Sequence, residues 1–176
     1  QMCIRDRLRR VTIKGGLGNV YEYVGPGVAK LEIPARATIS NMGAEMGATT
    51  SIFPADEQVH KFLKAQGRED AYVELLPDED AEYDDCIEIN LSELEPMISC
   101  PHQPDNVMPI KEVEKRKVQQ VFIGSCTNAS YADIAKAAMV FKGHHVNDDV
   151  SCTCGVASKQ TYRELLRDGY IDILLQ

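Results

Sequence analysis

The chain has 176 residues, enough for one domain or two small ones with a core of useful size. With 44% hydrophobic and 26% charged residues it has the composition of an ordinary globular protein, and its net charge of −8 speaks against the clustered basic face of a nucleic-acid binder. No apolar run approaches the roughly 20 residues that span a membrane and no stretch is ordered like a signal peptide, so a soluble, cytoplasmic protein is the default expectation.

At the start, Gln1-Met2-Cys3-Ile4-Arg5-Asp6-Arg7 fits no start of an element. It reads as a translated transposase end from a sequencing library, so residues 1–7 are expected to be an artefact joined to a truncated reading frame. A charged N-terminal turn is the alternative. Residues 19–24 are rich in Val and Tyr, and residues 28–33 alternate apolar positions beyond Gly25-Pro26-Gly27. The pattern predicts two strands around a turn, the second ended by Pro34. Residues 38–46 predict a short helix stopped by Gly47 and weakened by an internal glycine. Residues 48–53 predict a short buried strand closed by Pro54. Residues 56–66 predict an amphipathic helix with Val59, Phe62 and Leu63 on one face and Gly67 as its stop. A helical or irregular turn follows through residues 70–76.

Residues 78–85 are acidic and predict a solvated loop, and residues 86–91 alternate as a strand. Residues 92–109 are rich in Pro, Asp and Asn and predict a long extended connection. A domain boundary is expected near residues 109–117. Beyond it the order is clearer: a strand at 118–123, a polar loop at 124–128, a helix at 131–141, a strand at 149–154 and a helix at 158–167 followed by Gly169. Strand, loop, helix, strand and helix in that order imply a parallel sheet with covering helices.

In open parallel sheets, ligands bind outside the carboxyl ends of strands. The loop Gly124-Ser125-Cys126-Thr127-Asn128 occupies such a place. Its glycine permits a sharp turn. Ser125, Thr127 and Asn128 can donate hydrogen bonds, and a helix start beyond the loop favours negative charge. A cysteine there is expected to have a lowered pKa, and a thiolate is what iron or zinc needs. From spacing alone three readings compete: Cys126 as a cluster or metal ligand, Cys126 as a nucleophile, and a phosphate-cradling loop with an incidental cysteine.

The chain has six cysteines. The close pair Cys152-Thr153-Cys154 matches neither the usual zinc nor the usual thiol-redox spacing. Paired buried thiols are expected there, and small buried apolar roles for Cys86 and Cys100. Met42 and Met46 are expected to pack in the core. His60 and His102 are expected to be solvated, and His144-His145 to answer the dipole of the preceding helix end.

Residues 121–133, VFIGSCTNASYAD, closely resemble the first cluster-ligand motif of the aconitase family. Upstream, residues 36–51, RATISNMGAEMGATTS, resemble the family's other signature, and the similarity runs from about Leu8 to the end. The resemblance implies an α/β fold, three-layer α/β/α with parallel sheets, in two partial domains: residues 8–108, and residues 109–176 carrying the first cluster cysteine. It implies a hydro-lyase that dehydrates and rehydrates small hydroxy-di- and tricarboxylic acids on a [4Fe-4S] cluster. Cys126 matches the first of three cysteine ligands; the other two belong to a Cys-x-x-Cys motif that this chain lacks. Ser125, Thr127 and Asn128 match the cluster-binding loop. Asn41 matches a residue near the cluster, and Glu45 one that pairs with an active-site histidine, which it would orient and make more basic. Four apart on the predicted helix, Asn41 and Glu45 are expected to face the same side.

Within the family, residues 43–51 and Ala129-Ser130-Tyr131 are closer to aconitate hydratase than to 3-isopropylmalate or homoaconitate dehydratase. With one ligand of three, the chain alone is expected to be inactive and to need the rest of its own polypeptide. Readings from other classes are a non-catalytic RNA-binding module, which the acidic charge opposes, and a thiol-redox module using Cys152 and Cys154. No nucleic-acid partner and no membrane are expected.

Overall fold

The computed structural model describes residues 2–125 and 127–176; Gln1 and Cys126 lie outside the described residues. The chain divides into two compact units, Gln1–Val113 and Glu114–Gln176. Among the described residues no helix is long and apolar enough to cross a membrane.

The first unit opens with helix α1, Met2–Val11, where the sequence suggests no element. Ile4 and Leu8, one turn apart, are both buried. Asp6 is buried too, and it accepts from Arg9 and Arg10 at 2.8 Å each, the i,i+3 and i,i+4 pairing that a helix favours. Strand β1, Val20–Glu22, does not turn back on residues 28–33. It pairs in parallel with β2, Thr50–Ile52, with Tyr21 opposite Ser51. The expected hairpin fails because Val28–Lys30 closes as a 3-10 turn and Pro34 belongs to the first turn of α2, Ile33–Asn41. A proline is welcome there, since its missing N–H would find no intrahelical partner.

Helix α2 packs Ile39 with Met42 and Ile4, flanked by Tyr23, Leu31 and Phe53. Tyr23 and Phe53 stack with ring centroids 4.4 Å apart. The helix expected over residues 38–46 is broken: α2 ends at Asn41, and Ala44–Met46 form a separate 3-10 turn. Gly43 lies between them, packed so closely that a Cβ would stand 2.8 Å from Ser51 Oγ and 2.9 Å from Ser40 O. Met42 and Met46 are buried, as expected. β2 is half exposed rather than buried, because its two-stranded ladder leaves Thr50 and Ile52 to solvent.

Helix α3, Glu57–Ala65, is capped by Asp56, whose carboxylate accepts from Gln58 N at 3.1 Å. The same carboxylate accepts from the Arg36 guanidinium at 2.7 Å. Arg36 is 3% exposed. It also donates to Leu31 O, Pro54 O and Val28 O at 2.9, 2.9 and 3.1 Å. One buried cation therefore joins the 3-10 turn, α2, the segment after β2 and the start of α3.

Residues 86–91 are exposed, apart from half-buried Ile89, and join no ladder. Their alternation provides a face but no neighbouring strand takes it up. The predicted connection over residues 92–109 is instead a hairpin. Strands β3, Met97–Ser99, and β4, Val107–Pro109, pair antiparallel with Ile98 opposite Met108. Pro101 and Pro104 fall in its turn and Pro109 at the strand's last residue, positions where a missing N–H breaks no ladder.

The second unit follows the sequence closely. Strand β5, Gln120–Ile123, pairs in parallel with β6, Ser151–Cys154, across helix α4, Tyr131–Phe141. Helix α5, Lys159–Arg167, is capped by Ser158, and Gly169 at φ +79° starts α6, Tyr170–Leu174. Ala129, Ile134, Leu165 and Ile171 form its core. The fold is α/β with short parallel pairs, as expected. The thiol expectations need correction: Cys86 and Cys152 are exposed, and Cys100 and Cys154 are half-buried. An exposed two-stranded ladder cannot enclose both cysteines of β6.

Burial works to raise the Asp56 pKa, but the Arg36 hydrogen bond and charge, with the Gln58 and Val59 amides, hold it below 3.8. The folded value is depressed, so this stabilisation is present above the unfolded value and lost as pH falls through the folded one. Arg36→Met is expected to cost about 3–5 kcal/mol in urea unfolding at neutral pH, since it strands a partly buried carboxylate. The loss should shrink as the medium is made more acidic than pH 3.8. Arg9→Met, which removes a half-exposed guanidinium and leaves Arg10 on the Asp6 carboxylate, is expected to cost only about 1 kcal/mol.

Candidate functional site

Strand β5 delivers the chain to the loop at residues 124–128. Gly124 takes φ +139°, and a Cβ there would lie 2.3 Å from Gly155 O, so a larger residue is excluded on two counts. Ser125 takes φ +130°, which a non-glycine residue adopts at a cost of about 1–3 kcal/mol. Its hydroxyl accepts from Thr127 N at 3.0 Å, a local turn that holds the strained backbone. Ser125 is exposed; Thr127 and Asn128 are half-buried and Ala129 is buried. Cys126, the residue on which the sequence reading centres, lies outside the described residues.

Helix α4 begins beyond the loop with a complete capping box. Ser130 Oγ accepts from Asp133 N, and the Asp133 carboxylate accepts from Ser130 N and, at 2.7 Å, from Ser130 Oγ. The positive end of the helix is thus already answered by the chain's own carboxylate. A phosphate brought there would meet Asp133, which disfavours the anion-cradle reading. His145, in the same unit, has Nδ1 3.0 Å from Gln176 O rather than at the loop.

Asn41 and Glu45 are both exposed, in the first unit. They do not share a helix face as the spacing suggests. Asn41 is the last residue of α2 and Glu45 sits in the 3-10 turn beyond Gly43. The break at Gly43 changes the angular relation that a continuous helix would impose. Beside it is a feature the sequence does not signal: Ser51 Oγ is buried with no hydrogen-bond partner among the described residues. His60, expected to be solvated, is engaged by Glu69 at 3.0 Å and stacks on Tyr72.

Cys152 and Cys154 border an apolar groove of about 460 Å³ together with Phe141, Tyr162, Ile171 and Leu174. Burial, then the neighbouring Cys152, pushes the Cys154 thiol up, which opposes the thiolate that metal ligation or redox exchange requires. Among the described residues no group of three or more His, Cys, Asp or Glu is arranged to hold a metal. Cys152 and Cys154 therefore do not extend the donor set of the loop at residues 124–128.

Tyr131, the first residue of α4, carries no chemical signal in its sequence context. Its hydroxyl donates to Asp168 Oδ2 at 2.7 Å, and Arg167 Nε donates to the same carboxylate at 3.0 Å. The Tyr170 ring meets Tyr131 edge-on at 6.0 Å. The start of α4 is thereby tied to the end of α5.

The chain matches the family model described as the aconitase family (aconitate hydratase) over residues 4–117 and 111–176. It is 41% identical over 164 residues to a 3-isopropylmalate dehydratase large subunit of Thermotoga maritima, covering 90% of this chain and 39% of that protein. It is 36% identical over 166 residues to a second such subunit, from Rubrobacter xylanophilus, covering 94% of this chain and 39% of that protein. It is also 43% identical over 180 residues to a mitochondrial aconitate hydratase of Gracilaria gracilis, covering 92% of this chain and 23% of that protein. The chain thus spans two-fifths or less of the length of these relatives.

The hydrogen bond to Asp168, then partial burial, pushes the Tyr131 phenol up to about 12. A raised folded value means that this contribution is whole below the ordinary value of 10.0 and is lost as pH rises through the folded one. Phenolate absorbance titration of Tyr131→Phe against the parent is expected to remove one late-titrating group. A difference centred at the ordinary tyrosine value would show the bond to be absent.

Proposed function

The chain belongs to the aconitase family, and from that premise we propose that it is part of an iron–sulfur hydro-lyase of the aconitate hydratase kind, interconverting citrate and isocitrate through cis-aconitate. The observation that carries the reading is the family match across both signature segments, with the 124–128 loop at the carboxyl end of β5. Aconitate rather than 3-isopropylmalate is favoured by the runs at residues 43–51 and 129–131. The two dehydratase subunits from Thermotoga and Rubrobacter support 3-isopropylmalate as the second reading.

In this reading the Cys126 thiolate is one ligand of a [4Fe-4S] cluster, and the chemistry the cluster supplies when bound is a Lewis-acid site for the substrate hydroxyl. Ser125, Thr127 and Asn128 set the polar surroundings of that ligand. Asn41 lies near the cluster and Glu45 orients the histidine that moves the substrate proton. The remaining ligands come from elsewhere in the polypeptide, so the 176 residues alone neither retain a cluster nor turn over substrate.

The test uses the protein encoded by the whole reading frame, reconstituted anaerobically with iron and sulfide. Visible charge-transfer absorbance and citrate–isocitrate turnover are expected, and both should be lost in Cys126→Ser. Glu45→Gln should lower kcat by about a hundredfold or more while leaving the absorbance intact. Turnover of 3-isopropylmalate but not of citrate would decide for the second reading. Activity in the 176-residue chain alone would refute the requirement for further ligands.

A further inference from the structure

The loop at residues 124–128 is held at both ends by one short turn. Gly155, just after β6, donates its N–H to Ile123 O at 2.8 Å, immediately before the loop. Ala157 donates its N–H to Ala129 O at 3.1 Å, immediately after it. Between these bonds Gly124 lies against the Gly155 peptide. A Cβ on Gly124 would meet Gly155 O at 2.3 Å, its carbonyl carbon at 3.0 Å and its Cα at 3.1 Å. All three are backbone atoms and cannot swing aside as a side chain would. At the exit Ala129 is sealed into the core.

We propose that the turn at residues 155–157 is a positioning element for the ligand loop. It acts through its two backbone donors and through the glycine-to-glycine contact between Gly124 and Gly155. The proposal rests on the reading of the loop as ligand-bearing. The turn touches no reacting atom; it fixes where the chain enters and leaves the loop. A metal ligand is productive only when held within about 0.5 Å of its geometry by such supporting structure. The two bonds bracket the loop, and Ser125, at φ +130°, lies between them.

The test compares three variants of the full-length protein. Gly124→Ala drives a methyl group into the Gly155 carbonyl. Ala157→Pro deletes the donor to Ala129. Gly143→Ala is the control: it places the same kind of strain at φ +77°, in open space at the far end of α4. Amide hydrogen exchange at residues 125–128 and iron retained under chelator challenge are measured at matched loss of melting temperature. The first two variants should exchange faster in the loop and lose iron on the order of tenfold more readily, while the control leaves both as in the parent. Loop exchange equal to that of the control would overturn the proposal, as would unchanged iron retention despite faster exchange. A parent that takes up no iron, with the exchange pattern intact, would sink the cluster reading and leave the clamp standing.

Discussion

A buried guanidinium must have its donors answered, and in the first unit Arg36 meets that demand by gathering four segments around itself. Val28, Leu31 and Pro54 offer carbonyls and Asp56 a carboxylate. Each of those acceptors ends or begins something: the 3-10 turn, the approach to α2, the exit from β2, the cap of α3. The Phe53 ring, 5.8 Å from the guanidinium, shields it on one side. Removing a charge from water is costly unless its hydrogen bonds are replaced, so the geometry around Arg36 admits little variation. The placement of α2, and with it Asn41, follows from that constraint.

The second unit is governed by a different economy, the absence of atoms. Gly124 and Gly155 approach so closely that neither backbone leaves room for a side chain on Gly124. The result is a loop whose ends are fixed by β5, β6 and the start of α4, while the capping box of Ser130 and Asp133 occupies the helix terminus. Anion binding at that terminus is disfavoured by the unit's own chemistry. The proposed function puts its cluster ligand just beyond Ser125, whose φ is +130°.

The two signature segments are built differently, and that affects what each can do. The 124–128 loop is bracketed by backbone bonds from Gly155 and Ala157. The segment holding Asn41 and Glu45 is broken at Gly43, so the two side chains leave separate elements. Both side chains are exposed, Asn41 at the end of α2 and Glu45 in the 3-10 turn. Ser51 Oγ, buried against Gly43, is part of the same local packing.

Much of the second unit was legible in the residues themselves. The span of α4, the Ser158 cap and the Gly169 stop follow from local rules of capping and periodicity that need no distant partner. The family resemblance was equally legible, because short motifs survive in one dimension. Misreadings cluster where a distant segment decides. Residues 28–33 alternate like a strand, but Arg36 draws Val28 and Leu31 into its coordination and Pro34 opens a helix. Residues 97–109 contain prolines that suggest extended chain, yet their strands pair because those prolines fall at the turn and the strand's end. Residues 38–46 have a helical pattern, interrupted because Gly43 packs on Ser51 from the neighbouring strand. The chain's own order thus determined the helix ends of the second unit, its loop and the family. Tertiary structure alone decided which backbones touch, because burial of Arg36 and the Gly124–Gly155 approach depend on atoms far apart in sequence.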